Sequence, residues 1–238
     1  MHVTVVRHHA EDSPGLIAEA FEARGARLAT YLFPDQGPLP PLAGAGHVIV
    51  LGAIPSVYDD GPNRGWIAEE LAWLRGADEA GVPVLGICFG AQALCAAFGG
   101  HVEAAPRKEI GWTMAESFDP DLVPPGPWLQ FHGDRCLPPP QAKILAVNEV
   151  GVQAFTIGRH LAVQFHPEVD GPQLSRWLDA GGRAEAERAG QDPDAFLAET
   201  VAQEPAARER ADRLVAAALL LAEGGGSPEL PAVLARED

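Results

Sequence analysis

The segment Pro83-Val84-Leu85-Gly86-Ile87-Cys88-Phe89-Gly90-Ala91-Gln92 constrains the fold more than any other stretch of this chain. A short apolar run ends in a cysteine with glycines two residues before and after it, and an alanine-rich helical stretch begins directly behind. This is the cysteine form of a nucleophile elbow, in which a strand turns sharply into a helix and presents one side chain at the sheet edge. Gly86 and Gly90 permit the turn and the close packing of helix on strand. Unpaired N–H groups and the positive end of the helix dipole then favour a thiolate over a thiol at that position. Cys95 and Cys136 lack such a setting and are expected to be small core residues.

A second informative segment, His160-Leu161-Ala162-Val163-Gln164-Phe165-His166-Pro167-Glu168-Val169, lies far downstream. A strand-like run delivers a histidine at its end, proline stops the strand, and a carboxylate follows two residues after the histidine. The pattern suits a base and its orienter: His166 to take the proton from Cys88, and Glu168 to hold the imidazole in the right tautomer. The adjacent His8 and His9, with Glu11 and Asp12 nearby, point to opposite faces of a strand and so do not share a metal. A solvated loop near the sheet edge is the expectation there.

With Gln92 four residues after the cysteine and His-Pro-Glu at a strand end, the chain resembles the class I (triad-type) glutamine amidotransferases. The likeness covers most of residues 1 to 170, in the form of a stand-alone domain such as the glutaminase domain of GMP synthase. It implies an α/β fold with a mainly parallel, flavodoxin-like or Rossmann-like sheet flanked by helices, an antiparallel extension and a helical C-terminal appendage. It implies Cys88, His166 and Glu168 as the catalytic residues. The oxyanion donors would be the backbone N–H groups of Ala53 and Phe89, with Gly52, Gln92, His132 and Asp134 binding substrate, Asp134 at the α-ammonium. In Gly52-Ala53 the family usually has two adjacent glycines, so Ala53 costs steric energy if the turn requires positive φ. Glu109-Ile110-Gly111-Trp112 and Val152-Gln153-Ala154-Phe155 resemble connecting strands and carry no assigned chemistry. The implied substrate is glutamine or another γ-glutamyl compound, with no cofactor and no metal. No Gly-rich phosphate loop follows residue 170. Ammonia would therefore go to a separate synthase subunit, or the enzyme would be a free γ-glutamyl hydrolase or peptidase.

Composition narrows the partners. A chain of 238 residues with net charge −16 is a poor match for nucleic-acid phosphates or an anionic membrane surface. An odd count of three cysteines suits a reducing compartment, and no stretch reads as a signal core or membrane span, so a cytoplasmic location is expected. Val3 to Val6, Leu28 to Phe33 and His47 to Leu51 read as strands, Gly15 to Arg24 and Trp66 to Glu79 as helices. This alternation implies a mainly parallel sheet with the site at the carboxyl ends of its strands. Val102 to Phe165 reads as short strands and turns in an antiparallel extension. From about Asp192 the pattern is helical, with Pro193 near the start and Leu214, Ala218 and Leu221 on one face. The expected division is a domain over 1–190, a helical appendage over 191–223 and a mobile tail over 224–238.

Overall fold

The computed structural model describes residues 1–224; the segment 225–238, nearly all of the expected tail, lies outside the described residues. The first half alternates as its apolar periodicity requires: β1 (His2–Arg7), α1 (Gly15–Glu22), β2 (Arg27–Leu32), β3 (His47–Val50), α2 (Arg64–Glu79), β4 (Val84–Ile87) and α3 (Phe89–Ala97). Then follow β5 (His101–Ser117), β6 (Gly126–Leu137), β7 (Lys143–Val147), β8 (Val152–Ile157) and β9 (His160–Val163), and the helices α4 (Gly171–Trp177), α5 (Arg183–Arg188) and α6 (Pro193–Ala222).

One sheet holds all of these strands in the order β2-β1-β3-β4-β9-β8-β6-β5-β7. Pairing is parallel from β2 through β9 and antiparallel from β9 onward, so the sheet is mixed rather than mainly parallel. The change of sense has a local cause. Only Gly158 and Arg159 separate β8 from β9, and a two-residue connection can join only antiparallel neighbours. The second half is also less fragmented than its turn residues suggest, since β5 runs for 17 residues against β6, with a register shift between Ala104 and Glu109.

Alternate strand residues feed two cores. Val3, Val5, Ile49, Leu85 and Val163 face one side, covered by Leu16, Ile17 and Phe21 of α1 and by Leu214, Val215 and Ala218 of α6. Val6, Val48, Val50 and Val84 face the other, covered by Ile67 and Leu74 of α2 and by Ala91 and Leu94 of α3. Asp192 caps α6 by accepting from the N–H groups of Asp194 and Ala195, with Pro193 in the first turn. This helix shares the core of α1 and the sheet. The carboxyl ends of β1, β3, β4 and β9 open onto one edge, where His8, Gly52, Cys88 and His166 gather.

Candidate active site

The elbow is built by close approach. A Cβ on Gly86 would lie 2.5 Å from the Gly90 carbonyl oxygen, and one on Gly90 would lie 2.2 Å from the carbonyl oxygen of Val50. Neither position tolerates a side chain, so α3 is held against β3 and β4. The chain turns at Cys88 itself, with φ 53° and ψ −106°, and among the described residues it is the only non-glycine residue with positive φ. That strained backbone sits at the N-terminus of α3 and is tied to β9 by a 2.8 Å bond from the Cys88 N–H to the Val163 carbonyl.

β9 runs on to His166, whose N–H donates to the Leu129 carbonyl at 2.8 Å. Its Nδ1 lies 2.7 Å from Oε1 of Glu168, with both side chains buried. Burial lowers the His166 pKa, but Glu168 and Cys88 outweigh it and hold the imidazole well above its ordinary value. Among the described residues Nε2 has no partner in hydrogen-bonding geometry, so the contact with Cys88 is looser than a formed bond, as is common before substrate binds. The Trp177 ring stands edge-on to His166 at 4.9 Å, and its indole N–H donates to Asp12 at 2.9 Å. Burial pushes the Asp12 carboxyl above its ordinary range, and the negative Glu168 adds to this, while the Trp177 bond, His9 and His166 act the other way.

Gly52 packs against both groups: a Cβ there would sit 3.3 Å from Cε1 of His166 and 3.8 Å from Cβ of Cys88. Ala53 follows without positive φ, so the steric cost expected for alanine at this turn does not arise. The Phe89 N–H opens α3, where helix amides have no intrahelical acceptor. Gln92 is buried and donates from its amide nitrogen to Oε1 of Gln164 at 3.2 Å. Asp134 accepts from Ser56 at 2.6 Å and from Tyr58 at 2.9 Å. His132 is bonded through both ring nitrogens, Nδ1 to the Asp134 carbonyl at 2.9 Å and Nε2 to Gln130 at 3.1 Å, with Glu109 3.2 Å from Nε2. Except for Phe89 and Glu168, the residues assigned from the sequence line a single cavity of about 620 Å³.

His8 corrects an expectation. It is 4% exposed, not in a solvated loop, with Nδ1 2.9 Å from the Gly52 carbonyl oxygen and Nε2 2.9 Å from Glu70. His9 does line the cavity, its Nε2 accepting from the Ile54 N–H at 3.3 Å. Glu109 and Gln153, read as purely architectural, belong to a buried polar chain ending on His132: Gln153 donates to Glu109 at 3.1 Å and Gln130 to Gln153 at 2.8 Å. The one sequence signal for His8 is its place, directly after the first strand, at the edge where the other site residues also leave their strands. Asp12, Trp177 and Glu70 carry no such signal. Cys95 and Cys136 are buried and unpaired, as expected of core residues. Among the described residues no group of three or more His, Cys, Asp or Glu side chains is arranged to hold a metal ion.

A cysteine on a strained strand-to-helix turn, beside a histidine oriented by a buried carboxylate and next to two candidate backbone donors, is equipped for acyl transfer through a thioester. The family model for glutamine amidotransferase class-I matches residues 16–179. The chain belongs to the class-I glutamine amidotransferase family. The chain is 30% identical over 244 aligned residues to the glutamine-hydrolyzing GMP synthase of Aeropyrum pernix, covering 95% of this chain and 46% of that protein. A GMP synthase of Bartonella bacilliformis is 34% identical over 143 residues, 53% of this chain and 26% of that protein. The chain thus spans about half the length, or less, of these relatives. A glutamine amidotransferase structure from Thermotoga maritima superposes with TM-score 0.84 at 25% identity, covering 92% of this chain and 98% of that one. One from Methylobacillus flagellatus, at 22% identity and TM-score 0.83, shares the fold. Among the described residues no helix is long and apolar enough to cross a membrane.

Proposed function

We propose that the chain hydrolyses the side-chain amide of glutamine through a γ-glutamyl thioester on Cys88 and passes the ammonia to a synthase outside these 238 residues. The observation that carries this reading is the placement of the strained Cys88 elbow beside the buried His166–Glu168 pair. Cys88 Sγ attacks the amide carbon of glutamine after its proton passes to His166. The N–H groups of Ala53 and Phe89 receive the negative charge on the oxygen. His166 then protonates the amide nitrogen, which leaves as ammonia, and later takes a proton from the water that cleaves the thioester to glutamate. Glu168 holds His166. Asp134 receives the α-ammonium of the substrate, and Gln92, His132 and the Gly52 backbone complete its pocket. Three unpaired cysteines suit a reducing, cytoplasmic setting.

A second reading has a specific observation behind it. A cavity of about 620 Å³ is of the size that holds drug-sized ligands and exceeds what glutamine fills. A γ-glutamyl amide or peptide with a larger leaving amine would use the same residues. The test is glutamate release from glutamine beside several γ-glutamyl amides and dipeptides with no partner present, together with peptide mapping after a glutamine-like electrophile. We expect slow glutamine hydrolysis, and labelling of Cys88 ahead of Cys95 and Cys136. A γ-glutamyl amide turning over orders of magnitude faster than glutamine selects the hydrolase reading. Even labelling of the three cysteines, or activity surviving Cys88→Ala, removes both readings.

A further inference from the structure

We propose that the buried His8–Glu70 pair is a positioning device that aims the Ala53 N–H at the oxyanion, an inference that rests on the glutaminase reading of the site. His8 leaves β1 and its side chain is 1% exposed, while Glu70 on α2 is fully buried. The Gly52 carbonyl oxygen, 2.9 Å from Nδ1, can only accept, so Nδ1 carries a hydrogen. Nε2 lies 2.9 Å from Oε2 of Glu70, and two bare lone pairs do not approach so closely, so a second hydrogen lies between them. Whether that hydrogen sits on the imidazole or the carboxyl, the pair has no net charge and keeps its N–H on Gly52. A neutral, bonded pair is the form that a buried site accepts at lowest cost. The rings of Trp66 at 5.3 Å and Phe89 at 5.0 Å pack on the imidazole and fix its plane.

The link to chemistry is the peptide plane. The Gly52 carbonyl and the Ala53 N–H belong to one planar trans unit and point in opposite directions. Anchoring the carbonyl on buried His8 therefore turns the N–H away from His8, and Ala53 lines the cavity beside Cys88 and His166. The next N–H along, that of Ile54, donates to His9. Two adjacent histidines, just past the end of β1, thus hold two consecutive peptides of the turn.

The shared hydrogen makes the device sensitive to alkali. Glu70 from α2 and Asp12 from the β1–α1 loop are the charged groups that act on His8. Burial lowers the His8 pKa, but Glu70, the Gly52 carbonyl and Asp12 together raise it above its ordinary value. Losing the shared hydrogen at high pH would leave one hydrogen for the two ring nitrogens, and the buried carboxylate of Glu70 draws it to Nε2, so that a bare Nδ1 releases Gly52. In Glu70→Gln the side-chain amide donates to Nε2 instead, which preserves the Nδ1 hydrogen without a titrating proton.

The experiment compares the parent, His8→Leu and Glu70→Gln by steady-state glutamine hydrolysis and by the Ala53 amide resonance in 15N-labelled protein. For His8→Leu we expect kcat to fall about 10- to 100-fold with KM little changed, since an oxyanion donor acts on the transition state, and the Ala53 resonance to move. Glu70→Gln should match the parent in both readouts at pH 7 and lose less activity than the parent on the alkaline side. A folded His8→Leu with parental kcat and an unmoved Ala53 resonance overturns the proposal. Should His8→Leu not fold, the imidazole nitrogens of the parent decide, because an Nδ1 found without its hydrogen also overturns it. If the parent hydrolyses no glutamine, the glutaminase reading fails, while the Ala53 and imidazole resonances still test the positioning on their own.

Discussion

His166 is pulled in two directions, by burial toward neutrality and by Glu168 and Cys88 toward charge, and charge wins. A raised folded-state value stabilises the protein fully below the unfolded histidine value of about 6.5, and this stabilisation is lost as pH rises through the folded value. The same carboxylate that raises the imidazole also fixes its orientation at 2.7 Å. Glu168→Gln should therefore cut kcat by about 100-fold or more through loss of charge and of tautomer control, yet leave more activity than His166→Ala, which lacks the base itself. Steady-state kinetics on the two variants checks this. Parental activity in Glu168→Gln would remove Glu168 from the site.

At the scale of elements, the turn that carries Glu168 is held by a helix end from the opposite end of the domain's sequence. The Leu16 N–H at the start of α1 donates to the Glu168 carbonyl at 3.0 Å. Gly15, at φ +36°, approaches the same oxygen so closely that a Cβ would lie 2.1 Å from it. Gly15→Ala should push the turn aside, destabilising the fold by about 1–3 kcal/mol and lowering kcat about tenfold or more as Glu168 shifts from His166. Gly25→Ala is the control: φ is +76° there, with nothing within 4 Å of the added carbon, so it strains the backbone without touching the site. If both variants lose stability and neither loses kcat, α1 does not position Glu168. The same pair of contacts shows what could be read from the sequence. The elbow and His-Pro-Glu are contiguous motifs, so the residues proposed for the chemistry could be named from order alone. The supports cannot be found that way, because His8 meets partners 44 and 62 residues away, and Asp12 meets Trp177 across 165. The long β5–β6 ladder was hidden for a different reason: Pro106 cannot donate to a ladder and falls in the register shift between Ala104 and Glu109, so the pairing on either side of it shows only across the two strands.

For the whole molecule, four buried histidines divide into two groups that bound its pH range from both sides. His8 and His166 favour charge and support the fold toward acid. His47 and His160 require neutrality. His160 accepts from the Val84 N–H through Nδ1 at 3.1 Å and bonds Asp78 through Nε2 at 3.1 Å, so a proton on Nδ1 would break the first bond. His47 is 1% exposed against Phe21, with neither ring nitrogen bonded among the described residues, and burial, followed by the nearby His160, brings its pKa down to about 3. A folded value below the unfolded one gives stability that is present above about pH 6.5 and lost as pH falls toward the folded value, because the unfolded chain binds the extra proton. Self-repulsion cannot account for a loss in that window, since a chain of charge −16 and isoelectric point near 4.8 becomes less charged as pH drops toward it. His47→Leu should remove the proton uptake without leaving a bonded partner stranded. Urea unfolding at pH 7 and pH 5 is the measurement: the parent should lose on the order of 2 kcal/mol more than the variant between them, from one histidine titrating over about 1.5 units below 6.5. Equal losses in the two proteins would show that His47 is charged or hydrated in the folded state and that the acid limit of this fold is set elsewhere.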